Sequence, residues 1–540
     1  MSCRPYKGAS REARPLGLIL APDMPVQAFS IRHLPAFLGL LLLAASGLAG
    51  CQERGQAPDK KSGSVVVEET SLPARDSIPG FYPEIATIIY ENCTPCHRQS
   101  GAGPFPMAEY ADLRKRTRMI KLVTGKRIMP PWPADPAYRH FLYEKRLSDD
   151  QIARIAAWVD AGAPLGDTLQ KVYPGYFPEG SELGEPDLVL RFPPQRIPGN
   201  SQDRFMLMKV PYRLPADTFV RAIEFIPGNR RLVHHMNANL IGYEAGAKAD
   251  VFGGERVIPT NWSGDARAVH ERMDDLNDDG TWPELTRMVC NYLPGVQHAA
   301  YPEGIGGFPL SASGSFFIND MHYGPSSESA SDESRFNLFF AKEPPRRATR
   351  EFMMGTFGEA GGPVVPPLIV PPDSVMDFRV TYTLPQAISL LTINPHMHLL
   401  GKTFTAYALP PDADTIPLVH IPRWNFRWQY FYTFPTMLPL PAGTTIVVEA
   451  SMDNTLDNPD NAFDPPQWVR EPPEGSMRTT DEMLQFIVTY TDFQPGDDTV
   501  SLHVPMLGLD KTPVRHTPYD GPSSRPSDGP SETRVSGPTP

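Results

Sequence analysis

Proline sets the strongest limit on what this chain can fold into. It occupies 62 of 540 positions, roughly twice average usage. Proline removes a backbone donor and fixes φ, so long helices are disfavoured and short strands, turns and linkers are favoured. The limit bites hardest over residues 187–510. There, short apolar runs alternate with Pro and Gly: DLVLRF (187–192), FMLMKVPYRL (205–214), TFVRAIEFIP (218–227), FRVTYTL (378–384) and TTIVVEASM (444–452). Strands at short intervals with turn signals between them predict an all-β sandwich. About 325 residues is too long for one sandwich and suits two of about 160 each. We place them at 173–350 and 351–510, after a linker rich in Pro and Gly (172–186). Only two stretches read as helix. Residues 82–92 carry Pro83 near their first turn. Residues 147–162 place Ile152, Ile155, Ala156 and Val159 on one face, with Ser148 and Gln151 as a capping box and Gly162 as the stop.

Composition excludes several classes. Hydrophobic residues make up 41% and charged residues 21%, which rules out a wholly disordered chain and a polytopic membrane protein. A formal charge of −12 argues against a nucleic-acid partner, since such proteins carry a basic face. Five cysteines (Cys3, Cys51, Cys93, Cys96 and Cys290) are too few for a disulfide scaffold. Residues 36–48 form an apolar run too short to anchor in a bilayer. Arg32 and His33 precede it, the layout of a secretory signal. The run ends in Leu48-Ala49-Gly50-Cys51, which resembles a bacterial lipobox. The resemblance implies cleavage before Cys51, lipidation of its thiol, and export as a periplasm-facing lipoprotein; Gln52 favours the outer membrane by analogy. The alternative is a buried helix ending at a chance cysteine. Met24 starts a signal of ordinary length, so residues 1–23, with Cys3, read as an over-extended start within the signal region 1–50. Residues 51–76 read as a tether from the lipid, and the Pro- and Ser-rich end, 511–540, as disordered.

The strongest local motif is Cys93-Thr94-Pro95-Cys96-His97, the CxxCH pattern of c-type haem attachment. Two thiols add to the haem vinyl groups and the adjacent imidazole becomes an axial ligand, so all three must reach one porphyrin. A zinc half-site would need a second ligand pair, which the neighbouring segment lacks. A thioredoxin-like pair would need a βαβ context. With the two helices around it, the segment 77–172 resembles a small cytochrome c, an all-α domain closed by packing its last helix on its first. A thioether as sixth ligand stabilises ferrous iron, and Met107, Met119 and Met129 are the candidates. Met129 lies in Arg127-Ile128-Met129-Pro130-Pro131-Trp132, where prolines hold a loop, and similar segments occur in cytochrome domains of this type. Met129 is favoured; Met107 and Met119 are read as core contacts.

The histidines of the β region are informative in combination. His396 and His398 are two apart, so on a strand both face the same side. His234 and His235 face opposite sides of an ideal strand and can share a metal only if the strand ends or bulges there. Singly, each is better read as an ordinary core or surface histidine. Together, residues 231–240, 319–325, 393–402 and 481–490 resemble the copper type II, ascorbate-dependent monooxygenases, the group of peptidylglycine alpha-hydroxylating monooxygenase and dopamine beta-monooxygenase. The order His-His, His-Tyr-Gly, His-x-His-x-Leu-Gly-Lys, Asp/Glu-Met is preserved. The whole chain resembles bacterial proteins that fuse a c-type cytochrome to such a unit.

That resemblance implies two jelly-roll domains with one copper each. One copper takes His234, His235 and His322; the other takes His396, His398 and Met483. On a strand, Met483 shares the more polar face with Gln485 and Thr489; the alternative is a core methionine. Imidazole and thioether suit copper in both oxidation states. The expected activity is hydroxylation of a C–H bond of a small molecule with O2 at the copper of His396, His398 and Met483. The other copper supplies the second electron, and one haem c on Cys93, Cys96, His97 and Met129 relays electrons from a periplasmic donor. A non-enzymatic electron-transfer or copper-handling lipoprotein shares every ligand. A third reading makes the haem itself the catalyst, which needs an open haem position. Two departures from the family stand out. Only Cys290 lies in the copper unit, so no disulfide can form within it. Asn394 stands where peptide-hydroxylating relatives carry an arginine for a peptide carboxylate, so a glycine-extended peptide is not expected as substrate. The stretch Trp424–Trp428 is read as core or cleft wall, and no role falls to His140, His270, His298, His420, His503 or His516.

Overall fold

The structure, a computed structural model, describes residues 78–99, 101–175, 177–178, 180–260, 266–295, 300–471 and 478–505. The expected signal region, Cys51, the tether and the tail at 511–540 lie outside the described residues. The chain is mostly β; among the described residues four α-helices precede the strands and a fifth, Ala266–Met273, lies between strands of the first β region.

Four helices, α1 (Glu84–Asn92), α2 (Tyr110–Arg114), α3 (Thr117–Gly125) and α4 (Asp149–Asp160), share one apolar core built on Phe81, Ile85, Ile89, Leu113, Ile155 and Trp158. The expected capping box is present on α4: the Gln151 amide donates to Ser148 Oγ at 3.1 Å and the Ser148 amide to Gln151 Oε1 at 2.9 Å. The buried face of α4 is centred on Ile155 and Trp158 rather than on Ile152 and Val159, which are half-buried at its edge. Arg154 forms a buried ion pair with Glu84 and so ties α4 to α1. The backbone before α1 meets the backbone after α4, with the Phe81 amide donating to Pro164 O at 2.9 Å. Gly80 and Gly166 make this approach possible, because a Cβ on Gly80 would stand 2.5 Å from the Gly166 Cα.

Two antiparallel sandwiches follow. The first pairs a four-stranded sheet, in the order Leu188–Arg191, Arg335–Phe340, Thr218–Ile226, Phe308–Leu310, with a five-stranded one. The order of the latter is Val257–Pro259, Arg204–Arg213, Ser313–Tyr323, Val233–Gly242, Glu284–Tyr292. Their inner faces share one core, including Met208, Val210, Phe225, Phe316, Phe336 and Leu338. The second sandwich pairs Arg350–Gly355, Leu484–Asp492, Ile388–Met397, Tyr432–Leu440 with Ser374–Thr383, Thr445–Asn454, Gly401–Leu409, Ile416–Ile421. Each core buries alternate residues from two sheets, as an aligned sandwich requires. Strands occupy both stretches of the proline-punctuated sequence, and Arg350–Gly355, an edge strand of the second sandwich, begins at the last residue of the first span.

The segment between α3 and α4 does not stay with the helices. Prolines 130, 131, 133 and 136 exclude helix here, and the extended chain lies against the second sandwich. Ala134 and Phe141 belong to that sandwich's core. The Leu142 amide donates to Thr433 O and the Asp135 amide to His420 O, both at 2.8 Å. Tyr430 Oη donates to Pro131 O at 2.8 Å, and the Trp132 and Tyr430 ring centroids are 5.2 Å apart.

Candidate functional site

Strand register assembles the first histidine cluster. His235 stands directly opposite His322, while Val233 stands opposite Tyr323. Two residues of one strand therefore face one step of the other, a bulge at His234. That bulge is the condition under which adjacent histidines can turn to one side. His234, His235 and His322 offer ring nitrogens that all lie within 4.8 Å of one another. Among the described residues no other group of three or more His, Cys, Asp or Glu side chains is so arranged.

The proton positions follow from the outer partners. His235 Nε2 lies 2.6 Å from Asp320 Oδ2, and His322 Nε2 lies 2.7 Å from Asp203 Oδ1. A carboxylate only accepts, so each of these rings carries its proton on Nε2 and leaves Nδ1 as a lone pair. Those Nδ1 atoms nevertheless face each other at 3.3 Å, and His234 Nδ1 is 3.2 Å from His235 Nδ1. Lone pairs so placed repel unless a cation lies between them. Two nitrogens bound to one tetrahedral ion at about 2.0–2.1 Å stand about 3.3–3.4 Å apart. The spacing therefore suits a metal, and the two carboxylates supply the outer hydrogen bonds that orient imidazole ligands. Phe205 stacks on His322 with centroids 4.1 Å apart, fixing the ring plane. Burial, with His322 and His235 adding like charge, pushes the His234 imidazole down to about 4. His322 is likewise lowered, by burial first and by His235 second. Both are thus neutral ligands near pH 7.

The second cluster stands at the end of the strand Ile388–Met397. His396 Nδ1 meets Gln429 Oε1, and Gln429 Nε2 donates to Phe426 O at 2.8 Å, which fixes the amide's orientation. His396 therefore carries its proton on Nδ1. Its Nε2 is buried and has no hydrogen-bond partner. His398 Nδ1 lies 2.9 Å from Asp481 O, which leaves His398 Nε2 as a lone pair too. The two rings are 5.0 Å apart and nearly perpendicular. Burial, and then the neighbouring His398, pushes His396 down to about 3.

Met483 lies next to this pair along the chain fold: His396 is opposite Gln485 and Met397 opposite Leu484 where the ladder ends, and the amides of the flanking His398 and Met483 donate to the same oxygen of Glu482. Met483 is fully buried yet belongs to neither sandwich core, unlike Leu484 and Phe486, which point into one. Glu482 locks the arrangement. Its buried carboxylate accepts from the amides of His398 and Met483, both at 2.8 Å, and of Leu400 at 2.7 Å. Burial pushes this carboxyl up to about 7 against those amides.

The segment 424–429 wraps this pair as a wall. Trp424 Nε1 donates to His398 O at 3.2 Å, and a Cβ on Gly401 would stand 2.5 Å from the Trp424 ring. Phe426 meets His398 edge-on at 5.7 Å. Asn394 is buried and donates to Tyr430 O at 2.9 Å, so its amide is turned into the fold.

The CxxCH turn follows α1 directly, with the His97 amide donating to Cys93 O at 2.8 Å. Cys93 and Cys96 are half-buried free thiols; burial raises Cys93 to about 12. His97 Nδ1 is 3.0 Å from Phe105 O, which frees Nε2 for a ligand. Gly103 lets the chain pass close by, since a Cβ there would stand 2.7 Å from His97 Nδ1. Met129 is half-buried and lines a cavity of about 460 Å³ with Trp132, Lys145, Ile152, Trp424 and Trp428. That volume falls in the range of cofactor pockets. Cys96 lines a smaller cavity that also ends at Lys145, so one side chain borders both the CxxCH turn and the Met129 loop. Met107 is buried in the helical core as expected. Met119 corrects an expectation: it is no core contact but 58% exposed, because α3 turns Ile120 and Thr124 inward instead.

Sequence reasoning did not find Asp203, Gln429 or a role for Asp320 and Glu482. Asp320 and Glu482 lie within the quoted motifs; Asp203 and Gln429 carry no sequence signal. Comparison of the chain with protein-family models and with curated proteins gives no match.

Proposed function

We propose that this chain is a haem- and copper-dependent monooxygenase of the cell envelope, with one copper at His234, His235 and His322 and another at His396, His398 and Met483. One observation carries the reading: ring nitrogens of His234, His235 and His322 converge within 4.8 Å of one another, and Asp320 and Asp203 hold the outer nitrogens of His235 and His322 so that their inward Nδ1 atoms are lone pairs. The orphaned, buried Nε2 of His396 supports the second site. Copper in such sites supplies one-electron chemistry with O2, and the thioether favours its reduced state. The chain's own residues do the rest. Asp203, Asp320, Gln429 and the Asp481 carbonyl hold the protons on the outer nitrogens. Glu482 keeps His398 and Met483 in register, and Trp424 and Phe426 wall the site.

On the same reading, residues 77–172 are a c-type cytochrome domain. Cys93 and Cys96 hold the haem, and His97 and Met129 are its axial ligands. The two sandwiches are jelly rolls, and Cys51 carries the lipid of an exported, outer-membrane protein. The substrate is a small molecule and the electrons come from a periplasmic donor.

Reconstitution with haem and copper tests this. Two coppers and one haem per chain are expected, with one copper lost in His396→Ala. Fewer than two coppers, or none lost in that variant, overturns the reading. Substrate-dependent O2 uptake by the reduced protein separates an oxygenase from a carrier that shares every ligand.

A further inference from the structure

The charge of the chain is unevenly placed. From Leu113 to Ala134 there are seven cationic side chains and no acidic one, in a chain of net charge −12. Three of the seven are engaged locally. Lys121 pairs with Asp160 of α4 at 2.7 Å, Arg127 pairs with Asp149, and Arg116 lies over the Phe105 ring at 4.2 Å. Arg114, Lys115, Arg118 and Lys126 are exposed and form no ion pair among the described residues. Within α3 and its C-terminal cap, positions 118, 119, 122 and 126 stand at i, i+1, i+4 and i+8 and so share one face, while Lys115 lies in the turn that ends α2. Met119 and Leu122 therefore stand among these cations on one face, 58% and 51% exposed. The helix cannot roll to hide them, because Ile120 and Thr124 hold its opposite face in the core.

We propose that this outward face of α3 is the docking surface for an acidic protein, which, resting on the function proposed above, is the one-electron donor. Two apolar side chains inside a cationic ring have the anatomy of a protein interface, an apolar centre with a charged rim. Opposite charge on the partner steers association, and salt screens it. A membrane surface fits less well, since a helix that lies on lipid carries a broad apolar face and this one offers two exposed apolar side chains on nine residues. A haem held by Cys93, Cys96 and His97 would take up the one electron that the partner's centre gives up, ferric to ferrous, with no bond made or broken. The loop Arg127–Trp132 that follows α3 carries Met129, so the surface adjoins the region assigned to the haem.

The full chain is titrated with flavodoxin, an acidic one-electron protein, at low and high salt. Binding at low salt that weakens with added salt is expected. Arg118→Glu with Lys126→Glu should weaken it about tenfold or more. Met119→Gln with Leu122→Gln, which keeps every charge, should weaken it several-fold, and Lys342→Glu, an exposed position after the strand Arg335–Phe340 of the first sandwich, should have no effect. Unchanged circular dichroism certifies the fold of each variant. Equal affinity in the charge-reversed and wild-type chains overturns the proposal. So does binding to phosphatidylglycerol vesicles through this face without binding to flavodoxin, which would make it a membrane contact. The haem absorbance spectrum is read on the same samples. Docking without haem keeps the surface and removes the donor role; haem without docking overturns the surface and leaves the function proposed above standing.

Discussion

At the scale of single residues, the histidine clusters are defined by where their protons are held. An imidazole can offer a metal only the nitrogen its other hydrogen bond leaves free. Asp320 and Asp203 make that choice for His235 and His322, and both choose Nδ1 as the inward atom. Gln429 and the Asp481 carbonyl make the opposite choice for His396 and His398, and the inward atom is Nε2. Four outer partners thus determine the inward nitrogen of four of the five histidines in the two sets. Asp320→Asn keeps an acceptor at the same place but removes the carboxylate charge that holds the outer N–H of His235. Its expected effect is a loss of roughly 10- to 100-fold in copper affinity at the three-histidine set. Competition titration with a Cu(I) chelator reads it, and an unchanged affinity would show that Asp320 only fills space.

At the scale of elements, small irregularities place the chemistry. The bulge at His234 breaks the two-residue alternation of its strand and brings neighbouring side chains to one side. A regular strand would have sent one of the pair into the core. In the helical region, α4 closes the core through a regular device instead. Ser148 satisfies one of the amides left unpaired at the helix start, and Gln151 returns the bond. Ser148→Ala should cost about 1 kcal/mol of helix stability. Amides of α4 that open by local unfolding should then exchange about fivefold faster. Loss of protection in α1 as well would show that the α1–α4 contact opens as one unit.

At the scale of the whole molecule, one loop joins parts that the sequence separates. Residues 131–143 lie between α3 and α4 in the chain but contribute to the core of the second sandwich. The docking of the helices is therefore part of that sandwich's packing. Phe141 sits between Tyr432 and Phe434, with ring centroids at 4.9 and 5.5 Å. Phe141→Ala should lower the stability of the second sandwich by about 3–5 kcal/mol. Hydrogen exchange along Tyr432–Leu440 should report the loss, although this strand lies nearly 300 residues away in the chain. An effect confined to the helical region would mean the loop is a passive spacer. The same contacts fix where the Met129 loop stands: Pro131 is bonded to Tyr430, the covalent neighbour of the Gln429 that holds His396.

What could be read without tertiary structure is what short-range backbone geometry determines. CxxCH lies on one turn, the pair at 396 and 398 shares a face because strand side chains alternate, and the capping box spans three residues. The two sandwiches were legible from proline spacing for the same reason, since each proline acts on its own φ and hydrogen bond. Tertiary structure alone decided the rest. Whether His234 and His235 turn together depended on a bulge against a strand more than 80 residues away. That Asp203 would hold His322 depended on a pairing across 119 residues. Met119 went to solvent because α3 packs by Ile120, and the loop at 131–143 went to the second sandwich because the apolar surface it covers is made there. Hydrogen-bond partners and buried faces are set by strand register and core packing, and neither is encoded within the window of residues that makes a motif.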